Sequence, residues 1–600
     1  MAWSRKVVTD MIIIVYSGTR ADTVATDLGK ADYSYYFILQ KYLPILRELG
    51  EVRFVDDPER EVDEIYAEAL AAGSAAVFLS FSPPHHTARS LRCPTVCVMA
   101  WEFASIPDED WDIGGASLNW VSALRDIGNV ITISNYATSV IRRQVGSSVR
   151  VVTIPAPVDE QSVPGDGLRR NRADPACPPR DSQYARPPLK LAATVIDSRE
   201  CDIDSERVTL RGFTPDGLRS QDTLWDGREV SWAFVSNGEA AQEYYYLVGF
   251  YAEEDWGAWS RTVNPGIMLP WQVHGDFEIE LELVGYGENQ GRTITVRIGD
   301  CTRTLVLSES RSMHTLQYSL KQSANSIEFS GLTAVPRPGA RDHRTLGLGL
   351  GKLAIRPVAG GDTSRAGVAQ QTEAPAEGGC SLQLDGAVYT SVFNPMDGRK
   401  NWKDIVTAFC WAFRQDPGKT LLLKMSHHNK SVFMGDLLLL FSKLHPFSCR
   451  VVAIHGYLSA RELHDLVEST DFYVNASSAE GQCLPLLEFM VEGVPAIAPD
   501  HTAMETYINP ANSFIVSSGL EPKDWLIDPR SAYRTTTQRI SWDSLRRGFV
   551  ESAKVLESDP GRYREMCLAA GKIVREHYAS GKIAKDLAVF LDEVVSAHKR

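Results

Sequence analysis

Apolar positions change their spacing four times along this chain. From Met11 to about residue 160, short apolar runs alternate with amphipathic stretches. MIIIVY, EVRFVDD, AAVFLSFS, TVCVMAWEF, NVITIS and VRVVTIPAPVD read as buried strands, and YYFILQKYLPILRELG, EVDEIYAEALAAG and YATSVIRRQVG read as helices. Strands alternating with helices predict a doubly wound parallel sheet over residues 1–160. Residues 161–188 lose all periodicity and are rich in Pro, Arg and Asp, which reads as a linker. From 189 to 358 the helices disappear. Short alternating runs such as FEIELELVGY, TITVRIGD, TRTLVLSE and LGKLAIRPV, punctuated by Gly, Asn, Asp and Ser, predict an all-β sandwich. Residues 359–380 read as a flexible linker poor in aromatics. The alternation returns over 381–600, which predicts a second α/β domain ending in helices.

Within that second domain, residues 471–504, DFYVNASSAEGQCLPLLEFMVEGVPAIAPDHTAM, form a strand, a polar loop, a short helix and another strand. Pro485 falls in the first turn of the helix and Gly493 at its end. Such a loop lies at the carboxyl edge of a parallel sheet, where open α/β sheets bind ligands. No Ser, Thr, Asp or Asn stands directly before the helix, so its first amides are left for an anion. Glu480 and Glu488 flank that point. The pattern suits a phosphate on the amides and hydroxyl-rich groups on the two carboxylates.

Composition narrows the partners. Six hundred residues are too many for one core. A net charge of −14 and the lack of a basic stripe with interleaved aromatics argue against nucleic acid. The ten cysteines include no CxxC pair and read as reduced thiols of a cytoplasmic protein. No apolar stretch approaches the roughly 20 residues of a membrane span, although peripheral contact with the inner leaflet is compatible with this composition. The one Asp-x-Asp, Asp202 and Asp204, lies at the edge of the β region and reads as a turn, so no metal site is expected.

AEGQCLPLLE followed by VEGVPAIAP resembles the Glu-x7-Glu region of retaining GT-B glycosyltransferases, specifically glycosyltransferase family 4. NVITISNYATSVIRRQ, VRVVTIPAPVD, TSVFNPMDGRKNWKDIVTAF and APDHTAMETYI are similar to that family's segments in the same order. GFYAEEDWGAWS and RDHRTLGLGLGKLAI look like a sandwich domain of unknown function that accompanies bacterial glycan-assembly enzymes. The resemblance implies two Rossmann-like domains with a β-sandwich between them. It also implies metal-independent transfer from a nucleotide sugar, such as a UDP- or GDP-sugar, to a glycan or lipid-linked glycan. No cofactor is implied, and surface polysaccharide biosynthesis is the expected setting. The alternative is an inactive GT-B scaffold that binds glycan through the sandwich.

The resemblance also implies residue roles. Glu488 would meet the donor ribose, Glu480 the donor sugar, and the amides around Gln482, Cys483 and Leu484 the sugar and diphosphate. The family's Arg and Lys, six residues apart, fall here on Asn394 and Lys400, so Arg399 and Lys424 are candidates for the absent positive charge. Lys424 lies in the apolar run TLLLKM, where an unpaired ammonium is costly. In the first domain Glu102, past a strand end in WEFASIP, is a candidate catalytic group. Gly29 and Lys30 are candidates for the diphosphate, and His85 and His86 for the acceptor side. Trp256 and Trp259 offer sugar stacking or, in a sandwich, core packing.

Overall fold

The structure is a computed structural model. It describes residues 11–20, 33–113, 116–159, 188–203, 208–210, 225, 227–234, 246–251, 254–336, 344–358, 380–427, 431–525, 528 and 530–598. Gly29, Lys30, Asp204 and most of both expected linkers lie outside the described residues.

Six parallel strands build the first sheet: β1 (Met11–Ser17), β2 (Glu51–Phe54), β3 (Ala75–Phe81), β4 (Thr95–Met99), β5 (Asn129–Thr132) and β6 (Arg150–Thr153). They are ordered β2-β1-β3-β4-β5-β6. The order reverses between β1 and β3, which opens a crevice at the carboxyl ends of those strands. Their near-continuous Val, Ile and Phe content is what a sheet covered on both faces requires. Helix α1 (Tyr33–Leu49) buries Tyr35, Ile38, Leu39, Tyr42, Leu43, Ile45 and Leu46 against it.

The second sheet has seven strands in the order Thr194–Asp197, Arg450–His455, Lys419–Met425, Ala387–Phe393, Phe472–Val474, Ala496–Ala498 and Ser513–Ile515. All pairings are parallel except at the Thr194–Asp197 edge. Two doubly wound domains together with an all-β unit give the expected GT-B fold class.

Two boundaries differ from expectation. Residues 189–197, read as the start of the sandwich, belong to the second α/β domain. Leu189–Leu191 pairs with Cys380–Leu382, and Thr194–Asp197 pairs with Arg450–His455. Arg450 fixes this edge by donating from Nε (2.9 Å) and Nη2 (2.5 Å) to Asp197 Oδ2, both residues being buried. Short alternating runs look alike in a sandwich and at a sheet edge, so periodicity alone could not place this one. The β unit is therefore an insertion within the second domain.

The last helix, Ser580–His598, expected within the second domain, crosses back to the first. Its Ile583, Leu587, Phe590, Leu591, Val594 and Val595 are buried in the same core as α1 and β3. The crossing is held by Val158 N donating to Tyr578 O (2.8 Å) and Ser580 N donating to Asp159 Oδ1 (2.9 Å). Six buried apolar side chains at about 1.5–3 kcal/mol each contribute on the order of 10 kcal/mol. Truncation after Tyr578 is expected to remove the thermal transition of the first domain, measured by calorimetry.

The described residues of the β unit form an eight-stranded sheet folded over on itself, with two short two-stranded pairs beside it. Strands Gly266–Gly285 and Ser312–Ser330 run through both halves, with register shifts between Met268 and Gly275. Tyr318 in one half donates to Val296 O in the other (2.9 Å). The unit leans on the second domain, where Met268 enters the core. Trp256 and Trp259 are half-buried and pack edge to face at 5.1 Å.

Among the elements without a counterpart in the sequence reading, one links the domains. A hairpin, Ser518–Asp524 with Tyr533–Ile540, projects from the second domain to the first. At its tip the buried Trp525 donates from Nε1 to Ser105 O (3.1 Å), and Arg534 Nε donates to Glu109 Oε1 (2.6 Å).

Candidate functional site

The Phe472–Val474 strand lies in the interior of the second sheet and delivers its following loop to the sheet's carboxyl edge. Asn475 organises that loop. Its Oδ1 accepts from Ser477 N (2.7 Å), and its Nδ2 donates to Glu480 Oε1 (3.2 Å) and Cys483 Sγ (3.1 Å). Cys483 precedes the Leu484–Val491 helix in the left-handed region (φ +58°) and makes no side-chain cap bond. The first amides of the helix thus lack a capping side chain, as the sequence suggests. Thr502, also left-handed (φ +53°), accepts from Glu480 N at 3.0 Å. Two non-glycine residues held in that region beside one carboxylate mark a strained, built site.

The cations come from the turn after Ala387–Phe393. Lys400 Nζ lies 2.7 Å from Glu480 Oε1. Arg399 donates from Nε (3.0 Å) and Nη2 (2.6 Å) to the two oxygens of Asp397, and from Nη1 to Glu102 Oε1 across the cleft. Arg399 and Glu102 thus meet, as do Lys400 and Glu480. Asn394 instead shapes the turn, with Oδ1 accepting from Met396 N (3.0 Å) and its carbonyl accepting from Asp397 N (3.1 Å).

Charges at this centre perturb one another. Burial alone would raise Glu480, but Lys400 and then Arg399 hold its carboxyl below the ordinary range. Burial raises Glu102 despite Arg399, because Asp397 and Glu480 also repel its charge. Burial opposes charge on Arg399 and Lys400, yet the facing carboxylates raise both. The two carboxylates in one cleft are therefore pushed in opposite directions.

The domains interlock around this centre. A Cβ on Gly481 would lie 3.4 Å from Ala100 Cβ and 3.8 Å from Glu102 Oε2, ordinary contact distances that show how closely the loop approaches residues 100–102. Gln482 pairs with the Ala156 backbone, Oε1 accepting from N (2.9 Å) and Nε2 donating to O (2.8 Å). Its side chain thus joins the two domains. Leu484 packs against the cores of both. Glu488 Oε1 lies 2.5 Å from Lys41 Nζ of α1.

Lys424 stands apart from this cluster. It is buried, its Nζ donates to Ser426 Oγ (2.7 Å), and burial alone brings its pKa down to about 8. The unfolded chain keeps this proton up to the ordinary 10.5, so stability rises with pH between about 8 and 10.5. Lys424→Met is expected to be more stable than the native chain by up to about 3 kcal/mol at pH 7. That gap should close above pH 10.5, followed by guanidinium melts at both pH values. His85 accepts at Nδ1 from Trp120 Nε1 (3.0 Å) within the first domain.

Sequence reasoning missed Lys41, Asp397, Asn475 and Thr502. The buried Asn in DFYVNAS was the one available signal, since a polar residue ending an apolar strand needs partners. Lys41 gave none, because its partner is supplied by the other domain. Among the described residues, no group of three or more His, Cys, Asp or Glu could hold a metal ion, and no helix is long and apolar enough to cross a membrane.

Residues 228–357 match the model of a domain of unknown function, DUF7024. No curated protein matches the chain. Among solved structures, the chain is similar to sucrose-phosphate synthase from Thermosynechococcus elongatus, at 11% identity and TM-score 0.41, covering 98% of this chain and 100% of that one. It is also similar to Anabaena HepE in complex with UDP and glucose, at 9% identity and TM-score 0.40, covering 97% and 100%. Similarity to the pneumococcal O-GlcNAc transferase GtfA in complex with UDP and GlcNAc, at 16% identity and TM-score 0.26, covers 35% of this chain and 38% of that one.

Proposed function

We propose that the protein is a retaining glycosyltransferase that moves a sugar from a nucleoside-diphosphate sugar to a glycan or lipid-linked glycan. The observation that carries this reading is the pairing of Lys400 with Glu480 at an uncapped helix start, with Arg399 beside it, in the cleft between two doubly wound domains. Arg399, Lys400 and the helix amides would stabilise the charge that develops on a leaving diphosphate. Glu480 would hold the transferred sugar's hydroxyls, and Glu488 would hold the ribose after release from Lys41. The acceptor hydroxyl would attack from the leaving-group side and pass its proton to the diphosphate. No resident metal or cofactor enters this scheme. Work at the cytoplasmic face of a membrane, in surface polysaccharide assembly, fits the acceptor class.

One observation favours the alternative of an inactive scaffold. Arg399, Lys400 and Glu488 are already paired within the protein, and Asn394 is engaged in its turn. A thermal-shift screen of nucleotide sugars separates the two readings. A ligand at 100 times its dissociation constant stabilises the protein by about 2.7 kcal/mol, so a true donor raises the melting temperature and a scaffold shows no nucleotide effect. Glu488→Ala is expected to erase the donor's shift. A full shift in that variant would refute the ribose role.

A further inference from the structure

Tyr33, Phe37 and Lys41 follow one another at four-residue intervals in α1, so they share one face of the helix. Both ends of this face are tied to the site. Lys41 Nζ is 2.5 Å from Glu488 Oε1. Tyr33 is close enough to Lys400, Asp397, Arg399 and Glu480 for all four charges to act on it. The first turn of the helix is anchored beside the site as well. Ala100 N donates to the Tyr35 hydroxyl (3.3 Å), and Ala100 Cβ is the nearest neighbour a Cβ on Gly481 would meet. Between the two ends, Phe37 packs edge-on against Tyr33 with ring centroids 5.9 Å apart. The Tyr33 ring is half-buried, yet its hydroxyl makes no hydrogen bond among the described residues.

We propose that the Tyr33–Phe37–Lys41 face of α1 is the first domain's wall of the nucleotide-sugar site, and that the Tyr33 hydroxyl donates a hydrogen bond to an oxygen of the departing diphosphate. The inference rests on the donor reading above and adds residues that neither motif spacing nor the glutamate pair indicates. Tyr33 shares its helix face with Lys41, which reaches Glu488, and it feels the charge of Lys400 more than any other, so its hydroxyl is within reach of an anion bound there. Burial raises the tyrosine's pKa, so it keeps its proton and serves as a donor rather than a base. In the step itself the bond from the anomeric carbon to the diphosphate oxygen breaks, and its electron pair stays on that oxygen. The new bond forms to the acceptor oxygen, whose proton goes to the diphosphate. Tyr33 loses nothing and acts by stabilising the growing negative charge.

Tyr33→Phe removes only the oxygen and keeps the ring contact with Phe37. The full-length protein and this variant are compared on UDP, GDP and ADP and on their glucose, galactose and mannose conjugates. The readouts are calorimetric binding of the nucleotide and the rate of donor consumption. The expected result is a fall in kcat of about 100-fold and weaker binding of the free nucleoside diphosphate, with donor KM and melting temperature unchanged. A variant with native kcat overturns the hydroxyl's role and leaves the donor reading standing. Loss of binding with kcat preserved overturns it too, since the contact would then not be specific to the transition state. A native protein that binds none of the nucleotides overturns both readings.

Discussion

Glu480→Gln is expected to lower donor turnover by about 100-fold or more while the protein still folds. The carboxylate is buried at 5% exposure and shares Oε1 between Lys400 (2.7 Å) and Asn475 (3.2 Å). Glutamine has the same shape and retains an acceptor for Asn475, so the loop geometry survives. It removes the charge, however, and Lys400 is left buried without a full counterion. Removing one partner of a buried pair costs about 3–5 kcal/mol when the remaining charge is not relieved. Arg399, itself held by Asp397 and Glu102, cannot compensate, because it carries the same sign as Lys400. Two consequences should appear together: a lower melting temperature and a lower rate with any donor the screen identifies. Native turnover by a folded Glu480→Gln protein would remove this carboxylate from the site.

Arg399→Met should destabilise the protein as strongly as Glu480→Gln. One guanidinium faces two carboxylates, Asp397 within its own turn and Glu102 from the other domain. Methionine fills much of the volume against Phe103, over whose ring the guanidinium lies at 5.9 Å, but it satisfies neither acid. Both carboxylates then face burial without a partner, and the expected loss is about 3–5 kcal/mol. At roughly 2–4 °C per kcal/mol for domains of 150–250 residues, the melting temperature should fall by about 10 °C. The double variant Glu102→Gln with Arg399→Met should recover part of that loss, because one stranded charge disappears. A strictly additive double variant would mean that the cross-cleft pair contributes nothing of its own.

These two experiments probe the half of the centre that the sequence described unevenly. Glu480, Glu488 and Lys400 were singled out from the strand–loop–helix unit and the family resemblance, and the fold brings Lys400 onto Glu480. Lys424 was offered as a replacement cation and lies apart from this cluster, its ammonium meeting only Ser426 among the described residues. Arg399, the other candidate, reaches the site through a contact with Glu102 from the first domain. Gln482 shows the same division. Its amides were expected near a donor, and its side chain is engaged with Ala156 of the opposite domain.

By itself the sequence determined what depends on neighbours along the chain. The apolar spacing of MIIIVY and AAVFLSFS yields buried parallel strands, and CLPLLE yields a helix that starts without a capping side chain. Both follow from local periodicity and turn chemistry, which act over a few residues. Only the tertiary structure decided contacts between distant segments. It assigned residues 189–197 to the second sheet and returned Ser580–His598 to the first domain. It also carried Trp525 across the cleft and brought Lys41 to Glu488. The physical reason is that burial and charge pairing reward whichever surfaces meet in space. A lysine at one helix position has the same local pattern whether it faces water or a glutamate from the other domain.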